Sequence, residues 1–343
     1  MSILILHGLV CIYALIITLE TGVQDTYYTL RSVRALLSIF AVIIITRMIQ
    51  LNSKANRMVL PIVLFWILTN GIIILIQSFS IEFQMYTASI TGFDKGFKLL
   101  RGFGLTNGYD TSGIITIFGI IICLKIKNIL PLQNIILIFL IVSTFFTSRS
   151  TMAFCILALI MHFMGAIKLR KLSDLKGIIL LTAIFGFSYL FYLVFLSTET
   201  VTYIGSTDDR FASNSVQILM THFHLPTTDW RVITGVGFEA PYDPGFTKIV
   251  WMGGLLGTLI YLSYYFYLYQ LINRKKLSLN RDQDSLNDRQ IKTMVFCMIL
   301  ILVLANLKNL IFFTRHIHEF ITFFVLFLAT SKRIQKVSRY LNV

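Results

Sequence analysis

The sequence predicts an all-α protein: a polytopic bundle of about ten membrane-spanning helices, with a large polar loop between the seventh and eighth. Three observations predict it. Of 343 residues, 56% are apolar and only 13% are charged, against roughly 25% charged in a soluble domain. The mean hydropathy is +0.77, and apolar runs long enough to cross hydrocarbon recur along the whole length. The charges lie mainly between those runs, in connections that alternate between basic and acidic character.

Read in order, the spans fall near 2–19, 33–50, 58–81, 112–124, 132–148, 150–167, 177–197, 248–272, 292–312 and 316–331. The fourth is short, and its start can lie nearer Asn107. The first segment has no basic n-region and no small-residue cleavage site, so it reads as a retained span. Cys11, Cys123, Cys155 and Cys297 sit in apolar runs without CxxC spacing, as small buried hydrophobes and not as a disulfide framework or thiolate metal site.

One set of connections is basic: NSKANR (52–57), KIKN (125–128), KLRKLSDLK (168–176), the 273–291 loop and the tail SKRIQKVSR (331–339). The other set holds most of the acids. The positive-inside rule puts the basic set, and with it both termini, in the cytoplasm. The net charge of +14 is then a topology signal with affinity for anionic membrane lipids, and nucleic acid is not expected as a partner. The chain reads as one integral membrane domain over 1–343, with a first external loop at 82–111 and a large external loop with short helices at 198–247.

The candidate site residues lie in the external pieces. In the first loop Lys95, Lys98 and Arg101 are three apart, and Arg101 precedes a glycine-rich turn where its fork can clamp a phosphate. The GFGLTNG run lacks the βαβ setting of a dinucleotide fingerprint. Arg149 sits in a tight turn between two spans, either snorkelling or holding an anion. In the large loop, SNSVQILMTHF reads as an amphipathic surface helix. His222 and His224 follow at a spacing that does not put both on one helix face, so no metal is expected. Trp230 and Arg231 come next, then a proline- and glycine-fixed turn holding Tyr242 and Asp243. Arg315, His316, His318 and Glu319 open the last span, where Glu319 reads either as a cap on the helix dipole or as a base. Arg101, Arg149, Arg210, Arg231 and Arg315, gathered above the bundle, would suit a diphosphate headgroup without a metal.

Three stretches carry a family resemblance: LLRGFGLTNGYDTSG (99–113), FFTSRSTMAFCILAL (145–159) and ITGVGFEAPYDPGFTKIVWMGGLLGTLIY (233–261). In their order and external placement they resemble the bacterial Wzy-type polysaccharide polymerases, relatives of the O-antigen ligases. Arg101, Gly104, Leu105, Asn107 and Asp110 resemble the first family segment. Ser148, Arg149, Ser150 and Thr151 resemble the second, and Gly235, Gly237, Asp243, Gly245, Gly253 and Gly254 the third. The chain departs from the family in having about ten spans where eleven to fourteen are common.

The resemblance implies a GT-C-like glycosyltransferase in the bacterial cytoplasmic membrane. Its partners would be undecaprenyl-diphosphate-linked oligosaccharides and a chain-length regulator protein, and no cofactor is implied. It implies Arg149, Arg231 and Arg315, with Arg101 and Arg210, on the diphosphate, and His222, His224, Glu319 or Asp243 as the base. Trp230, Tyr242 and Phe223 would stack on sugar rings. The competing expectations are a flippase for the same lipid-linked oligosaccharide and an O-antigen ligase.

Overall fold

In a computed structural model of the protein, residues 2–22, 27–92, 97, 100–126, 129–167, 230–237, 245–273, 288–306 and 315–341 are described. The expected span at 177–197 and most of the large loop lie outside these residues. The described chain is all-helical: α1 (Ser2–Thr21), α2 (Tyr27–Leu51), α3 (Ser53–Phe79), α4 (Ile81–Thr91), α5 (Tyr109–Lys125), α6 (Gln133–Phe145), α7 (Arg149–Ile167), α8 (Arg231–Thr234), α9 (Gly245–Asn273), α10 (Asp288–Ala305) and α11 (Arg315–Leu341). Four stretches are long and apolar enough to cross a membrane, Ile3–Thr21, Tyr28–Leu51, Ser53–Phe79 and Gly245–Asn273, and shorter apolar helices accompany them. The four cysteines are free thiols.

The helix at the centre is α5. Every residue from Thr111 to Cys123 is buried, and α3, α6, α7, α10 and α11 pack around it. A helix that is apolar on all sides can be enclosed this way. The two ends of the chain form a second group. There α1 packs on α2 and α9, and α11 packs on α2 and α9, while α10 ties the groups together by touching α5, α7 and α9. Between helices already surrounded by apolar groups, association rests on close packing and interhelical hydrogen bonds, and both are present at defined places.

Among the described residues, two departures from helical form inside the bundle are held by named bonds. The first place is the turn at 100–108. Gly104 has φ +59°, its N–H donates to Gln77 Oε1 at 2.7 Å, and its carbonyl accepts from Gln77 Nε2 at 3.1 Å. Leu105 N–H donates to Asn70 Oδ1 at 2.8 Å, Gln84 Nε2 donates to the Arg101 carbonyl at 3.0 Å, and Gly102 N–H to the Phe146 carbonyl at 2.7 Å. Asn70, Gln77 and Gln84 are all fully buried. Their amides replace the water that a loop would otherwise need. Within the stretch read as the first external loop, 82–111, the described residues are more ordered than a loop. Residues 81–91 are helix α4, residues 100–108 pack into the bundle, and α5 has started by Tyr109.

The second place is a break in α9 at Gly254, where φ is +62° and ψ is −167°. A continuous helix would satisfy the carbonyls of residues 251–253 from the next turn. Here Val236 N–H donates to the Trp251 carbonyl at 2.7 Å and Gly237 N–H to the Met252 carbonyl at 3.2 Å. The Tyr13 hydroxyl donates to the Gly253 carbonyl at 3.1 Å. Gly235 and Gly254 lie backbone to backbone: a Cβ at Gly235 would stand 2.6 Å from Gly254 N.

These contacts orient the helices. Tyr13 of α1 meets the break in α9, and His7 of α1 meets Tyr264, further along α9, so α1 runs antiparallel to the second half of α9. His318, in the first turn of α11, bonds His7 and Tyr265. The last helix therefore begins level with the interior of α1 and α9. Buried partners on α1 and α9 accept its polar first turn.

The turn at Gly104 generates a test. A Cβ there would overlap Asn70 Oδ1 and Ser112 Oγ, whereas one at Gly8, inside α1, meets nothing within 4 Å. Gly104→Ala should lose about 1–3 kcal/mol from the left-handed backbone alone, and Gly8→Ala should be neutral or gain about 0.5–1 kcal/mol. Thermal unfolding of both variants in one detergent checks this. Equal melting temperatures would remove the buried turn.

Candidate functional site

Two of the stretches that carry the resemblance come together at the shared start of α5 and α7. Ser148 caps α7: its Oγ accepts from Thr151 N–H at 3.2 Å, and its carbonyl accepts from Met152 N–H at 3.1 Å. Asp110, in the first turn of α5, reaches across to that cap. Its Oδ1 accepts from the Ser148 hydroxyl and, at 2.8 Å, from the Ser150 hydroxyl. Thr151 Oγ1 is 2.7 Å from Ser148 Oγ. One carboxylate thus serves two helix starts, both of which favour negative charge through the helix dipole. Gly113, one turn into α5, has no room for a Cβ because the Thr151 side chain fills that space, which holds the two helices at close range.

Arg101 and Arg149 flank this cluster in the chain. Arg101 is half-buried, and its guanidinium lies over the Tyr109 ring, 5.9 Å from the centroid. Its carbonyl is held by Gln84, so the amides that fix the 100–108 turn also fix where the arginine leaves the backbone. Arg149 is the first residue of α7. The two arginine positions thus flank a carboxylate that already holds the Ser148 and Ser150 hydroxyls. Gly102 N–H to the Phe146 carbonyl closes the contact between the two stretches.

The third stretch is built into the other helix group. Trp230 and Arg231 open the single-turn helix α8, with the Arg231 guanidinium 5.2 Å from the centre of the Trp230 ring. Trp230 is 47% exposed. From there ITGVG runs along the break in α9 and reaches the end of α1, where Gly237 faces Thr21 and Ile17. Arg315 is the first residue of α11, and Glu319, half-buried, lies in its second turn. That position corrects the capping alternative for Glu319, since a cap acts within the first turn. His222, His224, Phe223, Arg210, Tyr242 and Asp243 lie outside the described residues. Among the described residues no group of three or more His, Cys, Asp or Glu is placed to hold a metal.

Sequence reasoning passed over three features of this bundle. Asp110 was visible only as part of a motif, because its partners lie 38 and 40 residues away. Asn70 and Gln77 are two helical turns apart in an apolar span, a spacing that marks a polar face. His7 is an ionisable residue inside the first span, and it meets His318 at 2.9 Å. No family model, curated protein or solved structure matches the chain.

The hydroxyl–carboxylate cluster is testable by coupling. Asp110→Ala and the double change Ser148→Ala with Ser150→Ala remove the same bonds. The triple variant should therefore be less destabilised than the sum of the two by about 0.5–3 kcal/mol. Unfolding free energies of the four proteins in one detergent measure this, and strict additivity would dissolve the cluster.

Proposed function

We propose that this protein is a polysaccharide polymerase of the bacterial cytoplasmic membrane, a glycosyltransferase with about ten spans and a GT-C-like arrangement. In this reading it moves a glycan from undecaprenyl diphosphate to the non-reducing end of another undecaprenyl-diphosphate-linked repeat unit, on the external face, with both termini cytoplasmic. The observation that supports the reading is the junction of the 99–113 and 145–159 stretches through Asp110, Ser148 and Ser150. Those two stretches carry the family resemblance, they are separate in the chain, and each brings an arginine.

The chemistry asked of the site follows. As the glycosidic bond to the diphosphate breaks, negative charge grows on the leaving group, and pre-placed guanidinium groups stabilise it without reorganising. Arg101 and Arg149 are the arginines of the junction; Arg231, Arg315 and Arg210 are the further candidates. The acceptor hydroxyl loses its proton to a carboxylate or imidazole within hydrogen-bond reach, with His222, His224, Glu319 and Asp243 as candidates. Trp230, with Tyr242 and Phe223, offers an aromatic face to a sugar ring.

A second reading, a flippase for the same lipid-linked oligosaccharide, has one observation in its favour. Tyr265, His318 and His7 bond in series within the α1, α9 and α11 group, and Arg31 of α2 acts on His318 through its charge. Ionisable groups at such depth are the mark of a transport path.

A deletion strain complemented with wild type, Arg101→Ala or Arg149→Ala separates these readings. At equal protein levels, either variant should slow polymerisation about 100-fold or more and leave single repeat units in place of the long glycan ladder on a gel. Full ladders from both variants would remove the arginine site. Purified protein that carries lipid-linked repeats across a vesicle membrane without joining them would establish the flippase.

A further inference from the structure

The buried pair His7–His318 has no part in the polymerase reading. His7 stands on α1, and its Nδ1 is 2.9 Å from the Ile3 carbonyl. A carbonyl only accepts, so Nδ1 carries the hydrogen. His7 Nε2 is 2.9 Å from His318 Nε2. With His7 neutral its Nε2 is bare, and His318 Nε2 must donate. The remaining His318 nitrogen, Nδ1, then accepts from the Tyr265 hydroxyl at 3.3 Å. The contacts thus select one tautomer for each ring, opposite in kind, and one direction for the chain: Tyr265 to His318 to His7 to Ile3.

One added proton fits this chain. If His318 becomes the imidazolium, its Nδ1–H donates to the Tyr265 oxygen after that hydroxyl turns, and the bond between the rings becomes charge-assisted. Moving the central hydrogen from His318 Nε2 to His7 Nε2 then shifts the charge to His7, with no ring rotation and every named bond kept. A second proton does not fit, because it would set two N–H groups head to head across 2.9 Å.

The surroundings limit the charge the pair can hold. Both rings and Tyr264, Tyr265 and Thr322 are buried. On α9, Tyr264 meets His7 edge-on at 4.6 Å between centroids and lies 5.0 Å from His318, and Tyr261 sits one turn from Tyr265. On α2 the Arg31 charge acts on both Tyr261 and His318, and it opposes positive charge on the pair, the first proton as well as a second. On α11, His316 and Glu319 are the neighbouring titratable residues. The α3 and α5 side chains meeting this part of α11 are Trp66 and Phe118, stacked with Phe320.

We propose that His7 and His318 form a binding site for a single proton inside the bundle, shared between one ring on α1 and one on α11. His7 lies about 8 Å along the axis from the first residue of α1, so the proton exchanges from the end of the bundle where α1 begins. The interhelical bond survives the first proton and leaves no place for a second.

The test uses the full-length protein in lipid nanodiscs with ring-15N histidine, assigned with His7→Asn and His318→Asn, which keep a donor and an acceptor but cannot titrate. At about pH 8 the spectra should show His7 as the Nδ1–H tautomer and His318 as the Nε2–H tautomer, coupled across the two Nε2 atoms. Acidification to the lowest pH at which circular dichroism stays native should load one proton on the pair, averaged over both rings. Proton uptake should exceed that of the double Asn variant by one per chain. Uptake of two protons, uptake of none, or the same tautomer in both rings overturns the proposal. If the Asn variants do not fold, the coupling and proton count in the wild type decide.

Discussion

Main-chain polar groups must be bonded wherever the chain stops being helical inside an apolar bundle, and the rest of the structure depends on that requirement. The cost of leaving a buried N–H or C=O unpaired is about 1–3 kcal/mol per group. The bundle meets the requirement in two different ways. At 100–108 it uses side-chain amides: Gln77 bonds both faces of the Gly104 peptide region, and Asn70 and Gln84 hold its neighbours. At the α9 break it uses another piece of main chain, the 235–237 strip, together with the Tyr13 hydroxyl.

Both devices bear on function. The amide-held turn delivers Arg101 beside the Asp110 cluster, and the main-chain device anchors the segment that begins with Trp230 and Arg231. In each case a left-handed glycine, Gly104 or Gly254, lies where the backbone is gripped. The glycines of the motifs are therefore explained by packing, and the neighbouring arginines are left for chemistry. A ligand site with pre-placed charge needs rigid support of this sort. The two helix groups meet through α10, α11 and the contact of α2 with α3.

Much of the helix plan was legible. The expected spans at 150–167 and 248–272 correspond to Arg149–Ile167 and Gly245–Asn273, and the early start suggested for the fourth span is met by Tyr109. These succeed because apolar run length is a local property. The stretch at 82–111 hides its order because its polar and glycine residues look like a solvated loop. Nothing local shows that Gln77, behind it in the chain, supplies the bonds that water would otherwise make. The start of the last span is hard to read for a related reason: a cluster of His, Arg and Glu at a span edge reads as surface, unless His7 at the far end of the chain is known to be its neighbour.

By itself the sequence determined that the chain is a helical bundle rich enough in apolar residues for a membrane, roughly where its helices run, and which stretches hold glycine and arginine together. Composition and periodicity suffice for that, since each is written in consecutive residues. Only the tertiary structure decided that Asp110 binds Ser148 and Ser150, that the broken helix at Gly254 is mended by Val236 and Gly237, and that His7 meets His318 across 311 positions of chain. Those pairings depend on which helix faces which, a choice made by the packing of the whole bundle and recorded in no single segment.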